Sequence, residues 1–275
     1  MADLVFTDKD ASGKVTISVF REQASSAAAH FFDFSCSVPG DMVVVGGGGI
    51  GARTPQGALL TASYPSPDRS AWRVSSKDHR VSDPHRLTAF AIGMRISGLT
   101  RAQLLGHLEY GEETSGRAAH PEIAVSVPGG FELISGGFRV NWHPGAGNMA
   151  TASFPEIGHR WRARSKDHIH SGPATITAFS IGLRKSLPAV GTVQRGENLA
   201  VSSSAAHPTA RTLLDSTFAL TGIGAEALTN GQGQLLWRVE PVLVEGRPGA
   251  VVGSKDHQRS SPGTVRAFAL GVRVV

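Results

Sequence analysis

The stretches Ser76-Lys77-Asp78-His79, Ser165-Lys166-Asp167-His168 and Ser254-Lys255-Asp256-His257 contain the same four residues in the same order. Their aspartates stand at positions 78, 167 and 256, so both steps are 89 residues long. A fixed period indicates that one structural unit has been repeated along the chain. Alignment of the chain with itself predicts three repeats, which we call the first, second and third segments: 1–98, 99–187 and 188–275.

The stretch that is most alike among the three segments reads TAFAIGMR at 88–95, and it recurs at 177–184 and 266–273. Successive side chains of a β-strand point to opposite faces. The phenylalanine, isoleucine and methionine therefore form a large apolar face, whereas the alanines and the glycine form a nearly bare one. A bare face with a mid-strand glycine is typical of close approach by another layer. The pattern predicts a central strand that is buried on both sides.

Further alternating stretches, such as 14–20, predict about six short strands in each segment. Glycine is frequent, at 33 residues, and has no triplet period, which is typical of tight turns between strands. Pro39-Gly40 and Pro128-Gly129 predict type II turns in which the glycine adopts a positive φ. The weak helical candidate is 99–108, with Thr100 as its cap. The predicted fold is all-β: three homologous antiparallel β repeats of about 89 residues, packed with pseudo-threefold symmetry. Three tandem sandwiches are the alternative.

The composition excludes several classes of protein. A net charge of +5 without runs of like charge does not single out a nucleic-acid partner, so none is predicted. The single cysteine, Cys36, excludes an intramolecular disulfide and a thiolate zinc site. No apolar run is long enough for a membrane span, and the N-terminal residues do not form a secretory signal. We therefore expect a cytoplasmic protein, with leaderless release as the alternative. The oligomeric state stays open.

The Lys-Asp-His part of each stretch has two interpretations. In the structural one, the aspartate accepts main-chain N–H bonds in a turn, the histidine caps the loop and the lysine stem covers apolar surface. In the functional one, the three side chains bind a hydroxyl-rich ligand, because aspartate accepts hydroxyl hydrogens while lysine and histidine donate. The ligand-binding residues predicted on the functional interpretation are Lys77, Asp78, His79, Lys166, Asp167, His168, Lys255, Asp256 and His257.

Trp72 and Trp161 each precede the aspartate of their segment by six residues. An indole beside a polar cluster can stack on the apolar face of a sugar, so both are added to the predicted ligand site. The structural interpretation is that each is a large strand residue that covers the edge of the core. Ala250 stands at the matching position of the third segment, so a tryptophan-dependent site would exist in only two segments.

Three further histidines, His30, His120 and His207, recur about 50 residues before those of the stretches. A His-His-Asp metal site would form if the fold brought the two sets together. No tight HxH or HxxxH spacing recurs, which favours histidines that cap loops, and we predict no metal and no cofactor. Adjacent Asp and His residues do not make a catalytic triad, and no nucleophile elbow is present. We predict no catalytic residues and expect that the protein is not an enzyme.

Three equivalent sites matter more for binding than for catalysis. Catalytic sites in one chain add arithmetically, whereas weak binding sites on a rigid frame raise avidity for a repetitive ligand by ~10²–10⁴ where the geometry allows. Repetitive ligands are most often glycans. The sequence therefore predicts a multivalent, lectin-like carbohydrate-binding protein with one site per repeat. Two alternatives stay open, namely a structural or assembly module that binds a protein partner and a metal-dependent hydrolase.

Overall fold

The computed structural model describes residues 2–54, 57–142, 147–157, 159–229 and 232–275. Within these ranges the chain is all-β, with three sheets of antiparallel strands and one short helix, α1 (Arg101–Gly106). The helix lies inside the segment that the sequence favoured, and Thr100 is its N-cap. The Thr100 hydroxyl accepts from the Gln103 amide, and the Gln103 side chain accepts from the Thr100 amide. No helix of the described ranges has the length and apolarity that a membrane crossing requires.

Each sheet is a continuous series of hydrogen-bonded strands. The first has the order β1 (Asp3–Lys9), β2 (Val15–Gln23), β7 (Thr88–Ile96), β4 (Val43–Ile50), β18 (Leu235–Val244), β19 (Arg247–Lys255) and β16 (Thr209–Leu213). The second has β3 (His30–Ser37), β6 (Ala71–Lys77), β5 (Leu59–Pro65), β10 (Phe131–Asn141), β13 (Thr175–Arg184) and β8 (Leu108–Thr114). The third has β14 (Ser186–Leu187), β15 (Gly191–Val201), β20 (Thr264–Val274), β17 (Ala219–Leu228), β11 (Asn148–Glu156), β12 (Arg160–Asp167) and β9 (Glu122–Ser126).

Every sheet joins strands from two of the predicted segments. The joints are the strand pairs β4–β18, β5–β10 and β11–β17. Glycines allow the backbones to come together there: a Cβ on Gly48 would lie 2.1 Å from the Val239 carbonyl oxygen, and one on Gly137 would lie 2.3 Å from that of Ser63. Because the sheets and the main hydrophobic core cross from segment to segment, the alternative of three tandem sandwiches is wrong.

The strands predicted to be central are confirmed in that position. β7 lies between β2 and β4, β13 between β10 and β8, and β20 between β15 and β17. The bare face of β7 is covered closely, since a Cβ on Gly93 would lie 2.9 Å from the Met42 sulfur. This contact explains why the strand alternates between large residues and alanine or glycine.

The turns before β4 and β10 differ from the prediction. The carbonyl of Pro39 accepts from the Met42 amide, and that of Pro128 accepts from the Phe131 amide, so each proline is the first residue of its turn rather than the second. Neither Gly40 nor Gly129 has a positive φ, so the predicted placement of the Pro-Gly pairs at the centre of their turns is wrong; in the second turn the positive φ, +86°, is at Gly130. In the third segment, Asp215 replaces the proline, and its carboxylate accepts from the Thr217 amide.

Candidate functional site

The three Ser-Lys-Asp-His stretches lie at the ends of equivalent strands, β6, β12 and β19. In each stretch the aspartate amide donates to the carbonyl of an alanine that precedes β3, β9 or β16, over 2.8 to 2.9 Å. These alanines are Ala29, Ala119 and Ala206. Each stretch therefore ends its strand, as the sequence predicted, and the same main-chain hydrogen bond is formed at this point in all three sheets.

The aspartates fix the loops that follow them. One carboxylate oxygen, Oδ2, accepts the amide of the residue five positions later in every segment. These bonds are Asp83 N to Asp78 (2.6 Å), Gly172 N to Asp167 (3.2 Å) and Ser261 N to Asp256 (3.2 Å). Asparagine, serine or glycine would not provide the same charged acceptor, which explains why aspartate stands at all three positions.

The lysines reach into loops of another segment. Their contacts are Lys77 Nζ with the Trp142 ring (4.2 Å from the centroid), Lys166 Nζ with the carbonyls of Gln232 and Gly233 (2.6 and 2.8 Å), and Lys255 Nζ with the carbonyls of Ala52 and Gly57 (2.7 and 2.6 Å). Burial lowers the pKa of Lys77 and of Lys255 to about 8, and it lowers the pKa of Lys166 as well. Each lysine joins two segments, Lys77 and Lys255 from buried positions and Lys166 from a half-buried one.

The histidines meet one another. The rings of His79, His168 and His257, which we call the histidine cluster, have centroids 5.0 to 5.7 Å apart and are buried. Nε2 of His79 lies 2.9 Å from the His168 carbonyl oxygen, and Nε2 of His168 lies 2.5 Å from that of His257. Nδ1 of His168 also lies 2.8 Å from a carbonyl oxygen, that of Gln232. Both ring nitrogens of His168 therefore lie within hydrogen-bond distance of a main-chain carbonyl oxygen.

The third member of the histidine cluster behaves differently. Neither ring nitrogen of His257 has a hydrogen-bond partner among the residues that the structure describes. Burial, reinforced by the neighbouring His79, His168 and Lys255, lowers the pKa of His257 to about 3. This ring is therefore neutral at physiological pH.

The serines are supported in three different ways, through residues that are not the same in the three segments. Ser76 Oγ lies 2.8 Å from His85 Nε2, Ser254 Oγ donates to Gln234 Oε1 over 2.6 Å, and neither Ser165 Oγ nor the nearby Asn148 Oδ1 has a partner in the described ranges. The second segment therefore carries unsatisfied polar atoms where the other two segments make a hydrogen bond.

These contacts revise the predicted ligand site. Lys77, His79, His168, Lys255 and His257 are buried, and they bind or face other parts of the chain rather than solvent. Trp72 and Trp161 have no exposed surface, and each indole N–H donates to a core serine, Ser63 or Ser153, over 2.8 Å. A sugar has no open indole face to stack on here. For these seven residues the structural interpretation fits the geometry, and the ligand role assigned from sequence is corrected.

Two aspartates have side chains that are 15% exposed, and each faces a histidine. Asp167 Oδ1 lies 3.4 Å from His120 Nε2, and Asp256 Oδ1 lies 3.4 Å from His207 Nε2. The fold thus brings together the two sets of residues that the sequence analysis considered and then set aside. The signal was present in the sequence as histidines recurring at similar distances before the stretches.

The His–Asp pair of the first segment is buried. The side chain of Asp78 is only 5% exposed, and its Oδ1 faces His85 Nδ1 at 3.7 Å and the Ala58 amide at 3.2 Å. His85 fills this space from a position that Ala174 and Gly263 occupy in the other segments, as their matching backbone bridges show. In the first segment, therefore, the Oδ1 atom of the aspartate faces a buried histidine, whereas in the other two segments it faces His120 or His207.

A polar pocket of about 340 Å³ surrounds the pair in the second segment. Its described lining is His120, Lys166, Asp167, His168, Ile169, His170, Ser171 and Gln232. The His120 side chain is 71% exposed, and His170 is also exposed. The pocket offers a carboxylate acceptor beside three imidazoles and one hydroxyl, a combination that suits a ligand with neighbouring hydroxyls.

Among the described residues, no group of three or more His, Cys, Asp or Glu side chains is arranged to hold a metal ion. The chain matches no protein-family model, and no curated protein is significantly similar to it. The functional argument therefore starts from the geometry of the His–Asp pairs.

Proposed function

We propose that the protein is a multivalent, lectin-like carbohydrate-binding protein whose sites are the His120–Asp167 pocket and its counterpart at His207–Asp256. The observation that supports this function is the recurrence of one accessible His–Asp pair, at the same 3.4 Å separation, in two segments of one rigid frame. A lone pair would be an ordinary surface ion pair of little energetic value. The two pairs have the same separation, and a main-chain amide holds the aspartate of each, which indicates that both bind the same kind of ligand.

We also infer that the segments are arranged about a pseudo-threefold axis through the histidine cluster. Three contacts support this inference. Lys77 reaches from the first segment to the second, Lys166 from the second to the third, and Lys255 from the third to the first. Contacts that run in one direction and return to their start are expected when equivalent units close a ring. The two proposed sites are then held at a fixed separation.

The chemistry of a His–Asp pair suits a sugar diol. Asp167 Oδ2 is occupied by the Gly172 amide, which holds the carboxylate in place and leaves Oδ1 for a ligand. Oδ1 accepts a hydrogen bond from one hydroxyl, while the exposed imidazole of His120 donates to or accepts from its neighbour. Because the carboxylate is already oriented by the main chain, little rotamer freedom is lost when a sugar binds.

The expected valency is two rather than the three predicted from the sequence, because His85 closes the site of the first segment. Open pockets of this kind bind single sugars weakly. Two sites that engage one repetitive glycan raise the avidity by ~10²–10⁴ over a single site where the spacing fits.

The test is a glycan-array screen of the wild type and of the double variant Asp167→Asn, Asp256→Asn. Asparagine keeps one oxygen that accepts from the Gly172 or Ser261 amide, so the fold should be retained. Its N–H₂ group replaces the other carboxylate oxygen, so the site presents a donor where the wild type presents an acceptor. We expect array binding to be lost in the double variant and to become weak and rapidly reversible in each single variant. Thermal unfolding checks that the variants are folded.

The control is Asp41→Asn, an exposed carboxylate that lies outside both proposed sites and accepts from the Arg95 guanidinium. Array binding by a folded double variant that equals the wild type rejects the two sites. A blank array for the wild type rejects the function.

A structural or assembly module is the second candidate, and the edges of two sheets favour it. Strand β1 ends the first sheet and exposes Leu4 and Val5, while β15 is flanked on one side by the two-residue β14 and exposes Leu199 and Val201. Edge strands with exposed apolar residues can pair with another chain. If the array is blank and light scattering shows concentration-dependent association that Leu199→Lys abolishes, the assembly function replaces the glycan function.

A further inference from the structure

Trp142 lies in a different environment from the other three tryptophans. Trp72, Trp161 and Trp237 are buried, whereas Trp142 follows directly after β10 and is partly exposed. The ring of Phe32, 69% exposed, stacks on it with centroids 5.5 Å apart and planes at 26°. Phe32 belongs to the first predicted segment and Trp142 to the second, so this aromatic pair spans a joint between segments.

A backbone irregularity presents Phe32 to solvent. The register of β3 against β6 shifts between Phe31 and Phe34, and Asp33 between them has φ +52°, which is unusual for a residue other than glycine. The Ser75 hydroxyl accepts from the Asp33 amide over 3.0 Å, which holds this conformation. The bulge turns Phe31 against His85 and leaves Phe32 outside. Strained bulges of this kind are common beside binding sites.

A cavity of about 180 Å³ adjoins the aromatic pair, and its described lining is Arg117, Asn141, Trp142, Ala174 and Thr175. The N–H₂ group of Asn141 already has two partners inside the protein, because it donates to the hydroxyls of Thr175 and Thr177. Arg117 is exposed, and no hydrogen bond or ion pair joins it to any residue in the described ranges. A second cation, Lys77 Nζ, lies 4.2 Å from the Trp142 ring centroid.

The described lining combines the Trp142 indole with a guanidinium that has no partner among the described residues, and it includes no carboxylate. The exposed Phe32 ring and the Lys77 ammonium lie against Trp142 from outside this lining. We infer that this cavity is a binding subsite for an acidic sugar, a pyranose that carries a carboxylate. The apolar face of the ring lies on Phe32 beside Trp142, and the carboxylate pairs with Arg117 through two parallel N–H···O bonds. This subsite extends the proposed glycan-binding function and rests on it.

Neutral sugars fit the cavity less well than acidic ones. They would leave the Arg117 guanidinium without a charged partner, whereas a uronate supplies the planar, two-oxygen acceptor that the guanidinium fork matches. The net charge of +5 favours approach of an acidic polymer in the same way. Binding to the subsite is therefore expected to weaken as salt is added.

Trp142 provides a direct readout of the subsite. Because the other three tryptophans are buried, quenching of the intrinsic fluorescence by acrylamide reports mainly on Trp142. The probe is tetragalacturonate, and the matched control ligand is its methyl ester, which has the same rings without the charges. We expect the acid to protect the fluorescence from quenching and the ester to bind at least tenfold more weakly.

The variants are Arg117→Gln and Phe32→Ala, each expected to weaken tetragalacturonate binding at least tenfold. Both side chains are exposed, so the fold should be retained, as thermal unfolding will verify. Trp142→Phe is expected to lose the fluorescence signal and to retain binding by calorimetry. Equal binding of acid and ester, or unchanged binding in Arg117→Gln, overturns the acidic-sugar subsite.

The double variant Asp167→Asn, Asp256→Asn separates this proposal from the preceding one. If neutral glycans bind the array through the His–Asp pockets while tetragalacturonate does not bind, the subsite is wrong and the proposed function stands. If tetragalacturonate binding depends on Arg117 and the double variant is unaffected on the array, the subsite stands and the His–Asp sites are wrong. If neither ligand binds, both proposals are wrong, and the exposed Phe32 is then better explained as a contact for a protein partner.

Discussion

Replacement of His257 by phenylalanine is expected to remove a large part of the acid sensitivity of this protein. The ring is buried in the histidine cluster, and its nitrogens have no hydrogen-bond partner in the part of the chain that the structure describes. Burial is the main reason that its pKa falls from 6.5 to about 3, and the neighbouring His79, His168 and Lys255 contribute in the same direction. The nearby main chain of His79 opposes the shift.

A base whose pKa is lowered by folding holds its proton less tightly in the folded protein than in the unfolded chain. The stabilising contribution of His257 is therefore complete above pH 6.5 and is lost as the pH falls from 6.5 towards 3. At pH 5 the unfolded chain has bound this proton and the folded protein has not, which lowers the free energy of unfolding by about 2 kcal/mol relative to pH 8. This value hardly changes if the folded pKa is one unit higher, because it depends mainly on the unfolded pKa.

The assay is urea unfolding of the wild type and of His257→Phe at pH 8 and at pH 5. Phenylalanine keeps an aromatic ring against the two other histidines and leaves no hydrogen-bond partner unsatisfied, so at pH 8 the variant is expected within about 1 kcal/mol of the wild type. Between pH 8 and pH 5 the wild type should lose about 2 kcal/mol more than the variant.

The control is His30→Phe, at an exposed position, which should follow the wild type at both pH values. Parallel losses for the wild type and His257→Phe would refute the reasoning, because they would show that His257 keeps an ordinary affinity for protons when it is buried.

Three further outcomes are expected. Asn148→Gln should raise the free energy of unfolding by about 1 kcal/mol in chemical denaturation, because the longer amide reaches Ser165 as Gln234 reaches Ser254. Gln234→Asn should lower the free energy of unfolding by a similar amount. An unchanged stability in Asn148→Gln would contradict this comparison of the two segments. Lys255→Met should lower the free energy of unfolding by about 2–4 kcal/mol, because it leaves the carbonyls of Ala52 and Gly57 without their donor. Amide hydrogen exchange near these two residues should become faster, and unchanged exchange would argue against the contact. Cys36 is buried and its pKa is raised to about 12 by burial, so a thiol reagent at pH 8 should label it only after urea unfolding, and rapid labelling of the native protein would contradict its placement.

The strands could be predicted from the sequence because their signals are local. Alternation of large and small residues at 88–95 determines which face a layer approaches, and this information lies within eight positions of the chain. The turn at Pro39 was predicted less well, because proline suits more than one position of a turn and only the hydrogen bond to Met42 decides between them.

The roles of the stretch residues could not be predicted because their partners are far away in sequence. Lys255 binds the carbonyl of Ala52, which is 203 positions away, and His79 meets a carbonyl 89 positions away. No local pattern distinguishes a lysine that binds such a carbonyl from one that binds a ligand. The same limit applied to Trp72, whose spacing suits a sugar site and equally suits the core position that it occupies.

Identity among the three stretches is best explained by the contacts that hold the segments together. Each lysine contacts the next segment and each histidine packs in the histidine cluster, so a substitution in one stretch would remove a contact between segments that the other two do not replace. Ligand selection has no such requirement, and it can differ from segment to segment. The residues that distinguish the segments are therefore a further guide to function: His85 faces the aspartate in the first segment alone, and Arg117 with Trp142 is found in the second segment alone. On this argument, exchanging His85 for alanine should open a third pocket at Asp78 and raise the avidity for any glycan that the His120–Asp167 pocket binds, whereas an unchanged avidity would show that the closed site differs by more than one ring.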